Sequence, residues 1–498
     1  MHRSLKSQPT QSGNCLETLG LWEKPSDALR GLEEWATTRL MVDSTPVAAP
    51  AADLRRQLSW LDAAAIFVGI ILGSGIFVAP AGVAAAVASP GWAAALWLAG
   101  ACVAACGAFC YAECGARLPK TGGFYIFYRE VYGAPVAFVA GWAALLVTYP
   151  ASLAAISLIF ARYLGQIIPG IADTNVGAAL VGALALLLSA LFNILGVKIG
   201  ARIQKVLTAF KVLALVALCV AAVVAPATPI ETAVAPADLL PQGFLGIVSA
   251  MVILLWTYDG WSDVTLVAGE LKNPSKDLGR AVVVGVVVLA ATYTVVQFAT
   301  MTLLGSSGAA ASKQVIADAV TAGLGVGMGR VVALLVVVST FSSVNGIVLA
   351  ASRLAFAMSR DRAFFSWFGT VHPRFGTPAR STLALVIASL VYVFVSAHSV
   401  GAFWQLVTFF SFNVWIFYGA TGVALVLLRH RKVGEPLAWR APLGWIPPAV
   451  LLLTAASVTT GLLVQNPRDS LVGLGVLLLA VPIYFVWRIF QSRTATRL

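Results

Sequence analysis

Two stretches of the chain, residues 63–112 and 381–428, contain no Asp, Glu, Lys or Arg. A bilayer crossing takes about 20 mostly apolar residues, so each stretch can hold two crossings with a turn between them. A soluble chain of this size would carry roughly 25% charged residues to solvate its surface. Here 11% of 498 residues are charged and 59% are hydrophobic. The pattern predicts an all-α membrane protein with many spans.

The net charge of +12 would suit nucleic acid only if it sat on one soluble face. Instead, Lys and Arg collect in seven stretches: 55–56, 117–129, 198–205, 272–280, 353–380, 429–440 and 488–497. The intervening loops carry only Arg162, Lys313, Arg330 and Arg468. This alternation follows the positive-inside rule and places both termini in the cytoplasm, which requires an even number of spans. The expected location is the plasma membrane, the inner one if the source is bacterial.

Apolar runs divided by charges and turn residues predict twelve helices. They cover roughly 60–88, 91–117, 133–165, 176–196, 201–225, 243–269, 280–304, 329–358, 380–397, 402–428, 442–464 and 470–489. Ser89-Pro90-Gly91 makes the first outer turn, and His398-Ser399 a later one. Residues 1–54 are polar, lack the apolar region of a secretory signal, and read as a disordered cytoplasmic tail. Within it, 44–52 (STPVAAPAA) resembles a linker and Met41 is an alternative start. Residues 491–498 form a short cytoplasmic tail.

Two spans are interrupted midway. The first contains Gly73-Ser74-Gly75 within GIILGSGIFVAP; the sixth contains Tyr258-Asp259-Gly260-Trp261. Glycine lowers the cost of leaving helical geometry, and a mid-membrane Asp needs polar surroundings. Breaks five helices apart point to an inverted repeat of 5+5 helices, with the substrate site at the breaks. Repeat one would be 55–225 and repeat two 243–428, followed by two further helices in 441–490.

Cys102, Cys106, Cys110 and Cys114 recur every fourth residue. They read either as a metal or redox ladder or, with Ala101, Ala105, Gly107 and Ala108, as a small-residue strip for close helix packing. The second reading is favoured because adjacent thiolates in hydrocarbon are costly. No candidate outer loop holds a cysteine, so no disulfide framework is implied. No G-x-x-x-x-G-K-[ST] motif occurs, which argues against a nucleotide-driven pump. No His/Glu/Asp constellation suggests an enzyme, and no metal or cofactor is implied.

At this point the text resembles the amino acid–polyamine–organocation superfamily, in particular its L-type amino acid transporter branch. The residues that carry the resemblance are GIILGSGIF in the first span, Tyr111–Tyr128 (YAECGARLPKTGGFYIFY) and Trp256–Ala281 (WTYDGWSDVTLVAGELKNPSKDLGRA). Ser352-Arg353, His372-Pro373 and Thr377-Pro378 add to it, so the blocks run in order over residues ~60–380. The resemblance implies the LeuT-type fold with helices 1 and 6 broken, and sodium-independent alternating access for L-amino acids, with neutral ones the first expectation. Exchange is favoured over proton symport. The rival within the class is a carrier of cationic amino acids or polyamines. A rival from another class is a non-transporting amino acid sensor that uses residues 1–54 for signalling.

The resemblance also implies a site. The amides of Ser74 and Gly75, beside Gly73, would hold a substrate carboxylate at a half-helix N-terminus. The carbonyls of Ile71, Trp256 and Asp259 would hold its ammonium, with Tyr258 and Gly260 shaping the pocket. Trp256 matches an aromatic gate, against the alternative of a packing Trp. Asp259 is open between attracting a cationic side chain, bonding a hydroxyl and satisfying the broken helix. Lys211, inside the fifth span, is either a snorkelling anchor or an ammonium in place of a sodium ion. In the latter role it would face the Gly69 carbonyl and the hydroxyls of Ser342 and Ser343, and it could also carry a coupling proton. Glu113 is either a proton relay or a structural partner of Arg117 or another cytoplasmic base. Glu270, Lys272 and Asn273-Pro274 read as structural, and Asn193, Asn345 and Asn413 as interhelical hydrogen-bond partners. Eukaryotic L-type transporters bond a glycoprotein through a cysteine between helices 3 and 4. The corresponding loop, Gly165–Val176, has none, so no disulfide-linked heavy chain is expected.

Overall fold

A computed structural model describes residues 54–87, 89–225, 243–325, 327–396, 402–434, 436–465 and 467–495. The expected tail up to Asp53, the alternative start at Met41 and the turn at His398-Ser399 lie outside the described residues. Among the described residues the regular structure is helical, apart from one isolated parallel bridge between Leu58 and Leu271.

The first span is two pieces, α1 (Trp60–Ile71) and α2 (Ala79–Ala86), with a 3-10 turn at Gly75–Phe77 between them. There follow α3 (Pro90–Arg117), α4 (Phe124–Tyr132), α5 (Ala134–Ala143), a π-helical turn Ala144–Thr148, α6 (Tyr149–Ile167), α7 (Asn175–Leu195) and α8 (Val197–Val224). The next is α9 (Gly243–Thr257), which gives way to a 3-10 helix, Asp263–Glu270. The remainder comprises α10 (Pro274–Ala311), α11 (Val315–Leu324), α12 (Met328–Arg360), α13 (Ala379–Ser396), α14 (Ala402–His430), α15 (Ile446–Gln465) and α16 (Pro467–Ala495). Ten helices among the described residues are long and apolar enough to cross a membrane.

Local chemistry explains most boundaries. Ser59 caps α1 in a reciprocal box: the Asp62 amide donates to Ser59 Oγ at 3.3 Å, and the Ser59 amide donates to Asp62 Oδ2 at 2.9 Å. Helix α10 begins at Pro274 rather than near residue 280, because Pro suits the first helical position and the Asn273 amide donates to Asp277 Oδ2 at 3.0 Å. Its expected end near 304 coincides with a kink at Gly305 (φ 68°), after which the helix continues to Ala311. Helix α16 runs on to Ala495, into the stretch expected to be a tail. The short helices α4 and α11 were not predicted.

Helix α7 shows the packing logic. Leu180, Leu184, Leu187 and Leu191 are exposed on one face, where an apolar surface fits lipid. The opposite face buries Ala179, Gly182, Ala183 and Leu186, and a Cβ on Gly182 would lie 3.1 Å from the Ser157 carbonyl. Small residues therefore let α7 and α6 approach closely. The cysteine-bearing helix α3 works the same way: a Cβ on Gly107 would meet Trp261 at 2.7 Å. That strip seats the aromatic side chains of the sixth span, which supports the packing reading of the region.

Polar locks close the basic end. Arg353 Nε donates to Glu270 Oε1 at 2.7 Å, with both side chains 0% exposed. The amides of Gln57 and Leu58 donate to the Glu270 carbonyl at 2.8 and 2.9 Å, tying the start of the first span to the end of the sixth. Removing one partner of such a buried pair costs about 3–5 kcal/mol, because the other charge stays buried. Glu270→Gln should therefore lower the thermal midpoint of the purified protein sharply, and pairing Glu270→Met with Arg353→Met should restore much of it. A single variant as stable as the parent would contradict this account.

Candidate functional site

Helix α1 ends in the middle of the protein, and its last carbonyls need donors. They receive them from side chains of three other helices. Lys211 Nζ (α8) donates to the Gly69 carbonyl at 2.7 Å, to the Leu72 carbonyl at 2.5 Å and to the Ser339 carbonyl at 3.5 Å. Ser339 Oγ (α12) donates to the Leu72 carbonyl at 3.0 Å, and Ser343 Oγ to those of Gly69 and Ile70 at 3.0 and 3.1 Å. The Tyr293 hydroxyl (α10) lies 3.1 Å from the Ile71 carbonyl and 3.3 Å from that of Thr257. One phenol thus reaches the broken ends of both interrupted helices.

The chain resumes beyond the break as a 3-10 turn. The Phe77 and Val78 amides donate back to the Ser74 and Gly75 carbonyls. The amides of Ser74, Gly75 and Ile76 take no acceptor among the described residues. Unclaimed amides at a half-helix N-terminus, with its partial positive charge, form a ready anion site.

The second break abuts the first. Gly260 has φ +108°, a conformation that penalises any Cβ, and a Cβ there would lie 2.9 Å from Ile70 Cγ2. A Cβ on Gly75 would lie 3.1 Å from Thr257 Cα. Glycine at both positions is what lets the two broken helices touch.

These breaks line a cavity with about 1020 Å³ of atom-free space, counting the part open to solvent. Its wall includes Ile71, Gly73, Ser74, Gly75, Trp256, Asp259 and Gly260 from the breaks. Asp259 Oδ1 accepts from the Tyr418 hydroxyl (α14) at 2.5 Å. Asp263 Oδ1 accepts from the Tyr149 hydroxyl (α6) at 2.8 Å and from Ser262 Oγ at 3.1 Å. Tyr418 packs on Trp261 at a tilt of 33° with ring centroids 4.0 Å apart, and Tyr111 meets Tyr418 edge-on at 5.8 Å.

Seven of the eight substrate-site residues expected from the sequence meet at this cavity. Tyr258 does not. Its side chain turns away and packs against Trp97 and Tyr293, with centroids 5.8 and 4.9 Å away, and its hydroxyl donates to the Trp97 carbonyl. The Tyr258 amide still donates to the Leu254 carbonyl at 2.9 Å in helical register, and two residues of helix turn a side chain by about 200°, so Tyr258 faces α3 while Trp256 faces the cavity. The surroundings of Lys211 also differ from expectation. Its bonds go to three carbonyls, among them Gly69 as expected, whereas Ser343 Oγ donates to the backbone of α1 and Ser342 Oγ accepts from Gln204 Nε2 at 3.2 Å. Glu113 lies outside the cavity wall. It accepts from Arg117 Nη2 at 2.9 Å, from Arg429 Nη2 at 2.6 Å and from the Ala441 amide at 2.8 Å, an arrangement that favours its structural reading. Asn193 Nδ2 donates to Asn345 Oδ1 at 3.0 Å, an interhelical bond as expected.

Sequence reasoning missed Tyr149, Asp263, Tyr293, Ser339 and Tyr418. Asp263 was detectable in principle, as an acid four residues past Asp259 inside a span. The others are ordinary residues in long apolar helices, and only the packing reveals their partners.

Comparison with known proteins gives consistent results. The profile of the amino acid permease family matches residues 58–485. The chain is 31% identical over 448 residues to the large neutral amino acids transporter small subunit 2 of Oryctolagus cuniculus, covering 88% of this chain and 82% of that protein. It is 29% identical to the Asc-type amino acid transporter 1 of Mus musculus, with the same coverage. It is 28% identical to the serine/threonine exchanger SteT of Bacillus subtilis (strain 168), over 87% of this chain and 97% of that protein.

The contact between the two breaks is testable on its own. Gly260→Ala adds both positive-φ strain and a clash with Ile70, whereas Gly170→Ala (φ +91°) adds only the strain, with nothing within 4 Å of its Cβ. Strained backbone positions cost about 1–3 kcal/mol each. Thermal unfolding in detergent should rank Gly260→Ala as clearly more damaging than Gly170→Ala; equal losses would mean that the breaks do not depend on close contact.

Proposed function

The chain belongs to the amino acid permease family, and we propose that it is a secondary active transporter of L-amino acids, neutral ones first, working by sodium-independent alternating access. The observation that carries this reading is the pair of unclaimed amides at Ser74 and Gly75, residues that line the same cavity as the second break. A free amino acid brings one carboxylate and one ammonium. The amides and the helix N-terminus suit the carboxylate. The carbonyls of Ile71, Trp256 and Asp259 suit the ammonium. The Ile71 carbonyl already accepts from the Gly73 amide at 2.7 Å and from the Tyr293 hydroxyl at 3.1 Å, and that of Trp256 from the Asp259 amide at 3.2 Å, so the ammonium would share acceptors that the breaks already use. Trp256 lines the cavity and is half-buried, as a gate over bound substrate would be.

Sodium independence rests on Lys211. A ring of carbonyls from Gly69, Leu72 and Ser339 is the kind of oxygen cluster that would hold a monovalent cation, and here an ammonium fills it. We read the fold as twelve spans, the ten long helices plus the two broken ones, arranged as 5+5 inverted repeats (55–225 and 243–428) with two helices following. Both termini would face the cytoplasm, in a plasma membrane that is the inner one if the source is bacterial. Exchange is the favoured mode. The turn between α6 and α7 holds no cysteine, which fits a transporter without a disulfide-linked partner.

Counterflow in proteoliposomes of the purified protein tests this. Vesicles preloaded with unlabelled amino acids should accumulate a labelled neutral amino acid equally well with and without sodium. No accumulation of any amino acid by folded protein, or a strict sodium requirement, would overturn the proposal. Lys211→Met should cut the rate at least tenfold in the same vesicles, because the Gly69 and Leu72 carbonyls lose their cationic donor; a near-normal rate would sink the assigned role.

A further inference from the structure

The cavity wall contains two carboxylates, Asp259 and Asp263, and no Lys, Arg or His among the described residues. Unpaired charges are costly in a buried site, so the occupied cavity has to gain positive charge from somewhere. A zwitterionic amino acid does not supply it. Its ammonium and carboxylate cancel, and the backbone groups of the breaks already suit both. Asp259 is tied to the broken helix and to Tyr418; Asp263 lies one turn further on and has no role in the scheme above.

Its setting is built rather than incidental. The carboxylate is buried, and both of its hydrogen bonds, from Tyr149 and Ser262, fall on Oδ1. Oδ2 takes no hydrogen bond from any described residue. Tyr149 itself sits where a π-helical turn, Ala144–Thr148, gives way to α6. Such turns bulge a helix locally and occur often at functional sites. Here the turn brings Ala144, Thr148 and Tyr149 to the cavity, and Ser152 follows on the same wall. The cavity lining thus combines these polar groups, with one acid oxygen to spare, and the aliphatic side chains of Ile70, Ile71 and Ile347. Holding the Tyr149 hydroxyl would need only a neutral acceptor such as an amide; a carboxylate adds charge.

We propose that Asp263, held by Tyr149, is a second cation-accepting subsite that takes the side-chain ammonium or guanidinium of a dibasic amino acid. This rests on the amino acid transport reading above and extends its substrate class beyond neutral side chains. The α-amino and α-carboxyl groups stay at the two breaks, and the side chain runs along the Thr148–Ser152 wall to Asp263 Oδ2. The titratable groups facing the subsite are Asp259 on its own segment, Tyr149 on α6, Tyr418 on α14 and Tyr111 on α3.

The test uses the full-length protein in proteoliposomes. Unlabelled lysine, ornithine and arginine should each inhibit counterflow of a labelled neutral amino acid, and labelled lysine should itself accumulate. Asp263→Asn should raise the half-saturation for lysine, relative to that for the neutral substrate, at least tenfold, and Asp263→Glu should recover part of that ratio. A purely structural Asp263 would leave the ratio unchanged. The wild-type competition stands even if a variant fails to fold. The inference is overturned if dibasic amino acids neither compete nor accumulate in vesicles that move a neutral one. It is equally overturned if Asp263→Asn leaves the ratio intact and abolishes only the pH dependence of neutral uptake, because the missing positive charge is then a proton. If no amino acid moves at all, it is the transport reading that fails first.

Discussion

The Lys211 ammonium, set among the carbonyls that close α1, is the interaction on which the site depends. A helix that stops inside a membrane exposes carbonyls that lipid cannot satisfy and water reaches poorly. Lys211, Ser339, Ser343 and Tyr293 take up those carbonyls, from α8, α12 and α10. The break is stable only because three helices from both halves of the chain converge on it. In turn the ammonium, fully buried, is tolerable only because the broken end gives it oxygen atoms to face. Neither element makes sense without the other.

The two breaks then act as one structure. Gly75 and Gly260 let the interrupted helices touch, and Tyr293 reaches carbonyls of both. Because all these contacts are satisfied within the protein, the amides beyond the first break are left over on the cavity side. Binding capacity arises there as a remainder: donors for which the fold has found no acceptor. In the proposed function, a ligand anion would complete the hydrogen bonding that the helix break leaves open.

Much of this was legible in the sequence. Charge-free runs set the spans, and helices such as Pro90–Arg117, Asn175–Leu195 and Ala379–Ser396 fall within a residue or two of their expected limits. Glycines marked both breaks, and Lys211 stood out because an intramembrane lysine is rare. The side-chain detail was less accessible. Leu72 and Ser339 meet Lys211 through their carbonyls, which any residue type supplies, so no sequence signal picks them out. Tyr258 was placed in the site because it adjoins Asp259, but it keeps the helical register of α9, which points it about 200° away from Trp256. Helices α4 and α11, at nine and ten residues, are too short to announce themselves as crossings. Fold alone does not choose the substrate, and the side chains that line the cavity come from helices far apart in sequence.

The central claim is that the leftover amides and the broken-end carbonyls together recognise the α-groups of a free amino acid. Equilibrium competition on the purified protein in detergent tests it most directly, because it needs no gradient or membrane. A labelled amino acid that binds should be displaced by its unlabelled form, but not by its carboxamide, which lacks the anion, nor by its N-acetyl derivative, which lacks the ammonium. Displacement by either derivative at concentrations close to those of the parent amino acid would contradict the assignment of the α-groups to the two breaks.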